Sequence, residues 1–410
     1  MRFIAENFGP IECVDIKLRD LNVFTGKNST GKSYLAYLIW SLLAVEPDWE
    51  KLRNLFEEYL PNELISEIAK KDKELHEKIE RKQFDFKSYV DEPHEISDEI
   101  AKKVKTLILE IFRRFDEIWG RNLEELIKDT FLVDNLGELV KTGKEKSRIV
   151  VCNDDCTMRI SIEMCKDGLT SRVDDTVLKE VEENLFVTIF FGEPMLPTLY
   201  YKDATHDEFF TENYQIAGII PVIFSWIFNG YFPYTSTFIA PDGRDGLIRS
   251  REAYIHALLS KEALLGKRVV MNEVDRRFMR FLESLYPTIK NKKISQLANF
   301  LEKKLGVNYI LQREPPRYLL SIKGLEVPIQ RAPSSYRELA PLVYAMRYGL
   351  DDGFVMIIEE PEAHLHPDAQ VIAMRTLAGL SKSVDVILIT HSINNRRNKQ
   401  SVKSKESLSR

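Results

Sequence analysis

Cysteine is scarce. Cys13, Cys152, Cys156 and Cys165 are the four in a chain of 410 residues. They are too few and too unevenly spaced for a disulfide framework, and Cys152-x-x-x-Cys156 has no second close pair to complete a zinc site. Ordinary reduced cysteines of a cytoplasmic protein are expected. Long apolar runs are missing as well. The densest, Ile216 to Phe232, is broken by Gly218, Pro221, Asn229 and Gly230, and reads as pieces of buried helix, not a bilayer span. Met1 to Asn7 lack the apolar stretch of a signal peptide. No membrane partner is expected. Neither sign of charge dominates: the formal net charge is −5. Any nucleic-acid contact would need a local basic face. A 44% hydrophobic and 30% charged composition fits a cored, soluble protein of two or three domains.

Against this background one stretch organises the chain. Gly26-Lys27-Asn28-Ser29-Thr30-Gly31-Lys32-Ser33 fits G-x-x-x-x-G-K-[ST]. Leu21 to Phe24 before it reads as a buried strand, and Tyr34 to Leu43 after it as a buried helix. Strand, Gly-rich turn and helix suit phosphate chemistry. Glycines let the backbone approach the ligand, successive N–H groups converge on it, and the helix N-terminus adds positive potential. Lys32 is placed to reach the β- and γ-phosphates of a nucleotide, and the Ser33 hydroxyl to coordinate Mg²⁺.

Phe354 to Glu360 is the second informative stretch. Five apolar residues predict a central parallel strand, and Glu359 and Glu360 stand at its C-terminal end, where open α/β sheets bind ligands. One carboxylate there can hold Mg²⁺ through water, and its neighbour can deprotonate an attacking water. His364 and His366 follow closely, but carboxylates with phosphate oxygens favour Mg²⁺ over a transition metal. Val384 to Ile389 predicts another buried strand, ending in Thr390-His391-Ser392. A histidine at that tip can hydrogen-bond a terminal phosphate.

The remaining chain sorts by pattern. Residues 2–8 and 11–18 alternate apolar and polar about Gly9-Pro10, a hairpin. Residues 50–83 and 96–131 carry apolar residues at helical spacing, and 148–164 alternate again around Asn153-Asp154-Asp155. Thr237 to Ala240 predicts a strand running into a loop made locally basic by Arg244, Arg249 and Arg251. Tyr318 to Ile322 and Glu326 to Ile329 flank the turn Lys323-Gly324. Ser335 with Glu338 fits a capping box at the start of a helix. Asn394 to Arg410 is a basic tail with little to bury, expected to be disordered.

Taken together, these residues resemble an ABC-type ATPase head of the SMC/RecF kind, most closely the OLD-like ATPases. The resemblance covers about residues 1–45 and 235–393 and rests on Asn7-Phe8-Gly9-Pro10-Ile11, the phosphate loop, Ile357 to Pro367, Ile389-Thr390-His391-Ser392, and Ser334-Ser335-Tyr336-Arg337-Glu338-Leu339 at the signature position. It implies two heads sandwiching two ATP molecules as a homodimer. Lys32 and Ser33 would take the phosphate and Mg²⁺ roles, Glu359 the Mg²⁺ role and Glu360 the catalytic base. His391 would sense the γ-phosphate, and Ser335 would contact ATP in trans. This chain departs from the family at Ser29, where Gly is frequent, and at Tyr336, which replaces a common Gly. OLD-like proteins often continue into a nuclease domain after the switch histidine; none is inferred here.

The expected fold class is α/β: a P-loop NTPase with an ABC/SMC-like head, a mixed sheet with flanking helices, and a large mainly helical insertion. The head would comprise 1–45 and 236–393, the insertion 46–235, and the tail 394–410. The expected function is ATP hydrolysis coupled to nucleic-acid processing, repair or genome defence, with nucleic acid and a separate effector protein as further partners. An interaction switch with little turnover, or a transporter ATP-binding subunit, are the competing readings.

Overall fold

The computed structural model describes residues 1–59, 98–157, 159–190, 196–201, 236–251, 271–313 and 316–391. The expectations for the helical spacing over 60–83, for Ile216 to Phe232 and for the tail 394–410 lie outside the described residues.

The chain opens with β1 (Arg2–Phe8), β2 (Ile11–Lys17) and β3 (Leu21–Thr25). Helices α1 (Lys32–Ala44), α2 (Trp49–Tyr59), α3 (Asp98–Arg113) and α4 (Arg121–Phe131) follow. Then come β4 (Lys146–Cys152), β5 (Arg159–Cys165), β6 (Gly168–Val173), α5 (Asp175–Asn184), β7 (Leu185–Phe190) and β8 (Leu196–Tyr201). The C-terminal part holds β9 (Thr237–Ala240), α6 (Arg244–Arg249), α7 (Glu273–Ser284), α8 (Lys292–Leu305), β10 (Val307–Arg313), β11 (Pro316–Ile322) and β12 (Leu325–Pro328). It ends with α9 (Ser334–Tyr348), β13 (Val355–Glu359), α10 (Pro367–Leu380) and β14 (Asp385–Thr390).

One sheet positions the candidate site. Its order is β3-β14-β13-β9 and all three pairings are parallel. Its strands are apolar because both faces are covered. Ile239, Val355, Ile357, Ile387 and Ile389 face a core shared with α1 and the antiparallel sheet. Phe238, Ala240, Met356, Ile358, Val386 and Leu388 face a second core built with α7, α8, α9 and α10. This is the two-residue strand period written in sequence. Helix α1 buries Leu35, Ala36, Leu38, Ile39, Trp40, Leu42 and Leu43. It is apolar on most sides because it lies between two sheets.

The second sheet is antiparallel, in the order β2-β1-β4-β5-β6. Three of its strands lie within the segment 46–235, over residues 146–173. β4 pairs with β1 along Arg2↔Cys152 to Glu6↔Arg148, so residues 146–173 continue the sheet begun by the N-terminal hairpin. The alternation around 148–164 was legible; its partner strand, well over a hundred residues upstream, was not.

The cysteine expectation is overturned at one pair. Cys152 and Cys156 form a disulfide, because the turn after β4 folds the chain back and brings their Cα atoms to 5.0 Å. Cys13 and Cys165 are free.

Candidate active site

Register places the site. Glu359, Ile389 and Phe24 form one row across β13, β14 and β3. Beyond that row Glu360, His391 and Gly26 leave the sheet at its C-terminal edge, where strand carbonyls end and helix N-termini begin.

Residues 26–31 form the turn between β3 and α1. α1 begins at Lys32, after Gly31 in the left-handed region at φ 89. No acidic residue occupies the first turn of α1, so its N-terminal N–H groups and dipole stay available to an anion. A Cβ on Gly31 would stand 2.7 Å from Ile11 Cγ1 and 3.0 Å from Pro10 Cγ, so the β1–β2 turn seats the loop from below. Lys32 Nζ donates to Gly26 O at 3.2 Å and Lys27 O at 2.8 Å, curled over the loop. Thr30 Oγ1 donates to Lys27 O at 3.0 Å. Ser29 has φ 61, the conformation that glycine adopts without a Cβ penalty. The departure noted in sequence is therefore accommodated in the backbone, with some strain.

Pro10, Ser29, Thr30, Gly31, Lys32, Ser33, Tyr34 and His391 line a cleft of about 440 Å³. His391 thus faces the phosphate loop, and its Nε2 lies 3.3 Å from Glu360 Oε1. Burial, then the charge of Asp242, raises the Glu360 carboxyl above its ordinary value, while His391 pulls it down. Glu359 is only 4% exposed. Its Oε2 accepts from the Tyr37 hydroxyl and, at 3.2 Å, from the Asp242 N–H. Asp275, near the start of α7, is raised by burial and by the Glu359 charge. Ser33 and Glu359 offer hydroxyl and carboxylate oxygens, the hard donors Mg²⁺ prefers.

Two expectations fail here. Ser335 and Glu338 do not form a capping box. Pro333 is the N-cap of α9 without a side-chain cap bond, and Glu338 is buried against Arg244 instead. Ser335 sits half-buried in the first turn of α9, and is not among the residues lining the phosphate-loop cleft. The basic loop also dissolves. Arg244 is fully buried and Arg251 is 7% exposed, paired with Glu283 at 2.6 Å. Of the three, Arg249 stays exposed. His366 caps α10, its Nδ1 accepting from the Asp368 N–H. Among the described residues no cluster of three His, Cys, Asp or Glu could hold a metal ion by itself.

Sequence reasoning missed Tyr37, Asp242 and Arg244. Tyr37 had a readable signal, a hydroxyl one helical turn beyond Ser33 in an otherwise apolar helix. Arg244 had none, since its partner Glu338 is 94 residues away.

Comparison with known proteins gives one family match and several similar solved structures. Residues 247–394 match the AAA_15 family, described as an AAA ATPase domain. The match spans β13, α10, β14 and His391. The phosphate loop lies outside it and joins through the β3–β14 pairing. No curated protein matches the chain. Solved structures similar to it are heads of SMC proteins. An SMC head bound to the C-terminal winged-helix domain of ScpA is 12% identical, with a TM-score of 0.41, covering 97% of this chain and 91% of that one. The SMC head domain from Thermotoga maritima is 10% identical, with a TM-score of 0.38, covering 97% and 90%. An SMC head with an extended coiled coil, bound to the C-terminal domain of ScpA derived from Pyrococcus furiosus, is 12% identical with a TM-score of 0.41, covering 97% and 90%. The family match thus covers residues 247–394 as an AAA ATPase domain, and no helix among the described residues is long and apolar enough to cross a membrane.

Proposed function

We propose that this chain hydrolyses ATP with Mg²⁺, and that two heads close on two nucleotides to drive nucleic-acid processing. The observation that carries the reading is His391, which lines the phosphate-loop cleft and touches Glu360 from the same side chain. A base and a phosphate sensor are thereby held against one nucleotide site. In this reading Gly26, Lys27, Asn28, Ser29, Thr30 and Gly31 wrap the phosphates with backbone N–H groups, and Lys32 turns from the loop carbonyls to the β- and γ-phosphates. Ser33 and Glu359 would hold Mg²⁺, which would supply charge neutralisation at the phosphates. Glu360 takes the proton of the attacking water, and its raised carboxyl suits it to that task. His391 donates to the γ-phosphate.

Ser335 completes the partner's site in the homodimer. Tyr336, which replaces a smaller residue of the family pattern, packs partly buried against the head core. Its ring is therefore occupied within its own head. Residues 146–173, joined to the N-terminal hairpin, are assigned to the head, leaving the helical part of 46–235 as the arm. The coupling to nucleic acid rests on the resemblance to SMC and OLD-like heads, since Arg244 and Arg251 are buried.

The test is the mass of Glu360→Gln in solution with ATP and Mg²⁺. A doubled mass with ATP, returning to the single mass when Ser335→Arg is added, supports the sandwich. A single mass under all conditions, with ATP bound, removes the dimer from the proposal.

A further inference from the structure

Arg244 follows the turn after β9 and is wholly enclosed. A buried guanidinium is costly unless its donors are used. Here it donates four hydrogen bonds to carbonyls. Nε reaches Glu338 O at 3.2 Å, Nη1 reaches Pro241 O at 3.0 Å and Glu359 O at 2.6 Å, and Nη2 reaches Glu360 O at 3.2 Å. Nη2 also pairs with Glu338 Oε1 at 2.6 Å. Two of the four carbonyls therefore belong to the paired acids.

The backbone they hold is not relaxed. Glu360 has φ 39, the left-handed region that a residue with a Cβ seldom enters. Its N–H donates to Ile389 O at 2.8 Å, on β14, two residues before His391. Its carbonyl is held by Arg244. With both flanking peptides fixed, the side chain leaves towards His391. Release of either peptide would let the strained residue relax and swing its carboxylate away.

The other end of the clamp is α9. Glu338 lies three residues after Ser335, and the neighbouring Arg337 pairs with Asp245, next to Arg244, at 2.5 Å. The N-terminal part of α9 and the loop carrying Glu360 thus share one buried cation.

We infer that Arg244 is a positioning residue. It holds Glu360 in its left-handed conformation facing His391, and through Glu338 it ties that geometry to the turn of α9 carrying Ser335. The inference rests on the reading of Glu360 as the base. Arg244 touches no reacting atom and acts through the Glu360 backbone.

The test must separate positioning from packing. Arg244→Met alone strands Glu338 and would unfold the head for trivial reasons. Arg244→Met with Glu338→Met removes both charges at similar volume, a replacement that buried ion pairs commonly tolerate. The expected double variant still folds, melts below the parent because four carbonyls lose their donor, and binds ATP within about threefold. It turns over about 10²-fold more slowly, the cost of a misplaced catalytic group. Turnover within about threefold of the parent in the folded double variant would overturn the inference and leave Arg244 a packing residue. Should the double variant not fold, Arg244→Lys decides. It keeps the charge beside Glu338 but lacks the fork that holds two carbonyls, so it should fold and lose about 10-fold or more in turnover. Parental turnover in Arg244→Lys, or failure of that variant to fold too, overturns the inference. Glu360→Gln measured alongside isolates the underlying reading: full turnover there rejects Glu360 as base, whatever Arg244 does.

Discussion

Tyr37, one helical turn beyond Ser33, donates its hydroxyl to Glu359 Oε2. The helix that starts at the phosphate loop is thereby pinned to the strand that carries the acids. The Asp242 N–H donates to the same oxygen at 3.2 Å. Tyr37→Phe should cost about 1–3 kcal/mol of stability, because a buried carboxylate loses a partner. It should also raise the Mg²⁺ concentration for half-maximal turnover about 10-fold, as loss of a ligand-orienting contact does. Denaturant melts and a Mg²⁺ titration check both. An unchanged Mg²⁺ requirement would remove Tyr37 from the metal site.

Lys32 is half-buried, and its ammonium donates to the loop carbonyls of Lys27 and Gly26 at 2.8 and 3.2 Å. Lys32→Ala should leave melting nearly unchanged and abolish nucleotide binding. Fluorescent-nucleotide titration with a parallel melt measures this. Normal ATP affinity in the variant contradicts the phosphate-loop assignment.

Ser29 sits at φ 61, which costs a residue with a Cβ about 1 kcal/mol or more. Ser29→Gly should relieve that strain, partly offset by a more flexible unfolded chain, giving a net gain of up to about 1 kcal/mol. ATP affinity should be retained. A marked loss of affinity would assign the Ser29 hydroxyl a binding role.

Glu360 acts as a base only when deprotonated. Burial and Asp242 raise its carboxyl above the ordinary 4.5, so turnover should fall on acidification at a pH above that value. His391 pulls the carboxyl down. In His391→Gln the acid limb of whatever turnover remains should therefore move to higher pH. A pH–rate profile of parent and variant tests the sign; a limb that moves down contradicts the pairing.

What could be read from sequence was local. The phosphate loop, the apolar strand ending in Glu359-Glu360 and the strand before His391 each announce themselves within about ten residues, through glycine spacing and two-residue burial. The hairpin about Lys323-Gly324 did so too, with Lys323 at φ 50 and Gly324 at φ 85. What escaped depends on partners far along the chain. Glu338 fitted a capping box by spacing, but burial against Arg244 won. Arg244 looked like surface charge because nothing near it in sequence forecasts a cavity lined by carbonyls. Residues 148–164 read as a hairpin, yet only the β1–β4 pairing shows that these strands extend the N-terminal sheet. The Cys152–Cys156 disulfide depends on a turn geometry that spacing alone does not specify.

The most direct measurement is ATP turnover by the parent and Glu360→Gln, with and without duplex DNA at low salt, with ATP binding followed in parallel. The account predicts turnover by the parent, stimulated by DNA, and a loss of about 10²-fold or more in the variant with ATP still bound. Equal turnover in the two proteins would contradict it, as would bound ATP with no turnover by the parent under any condition.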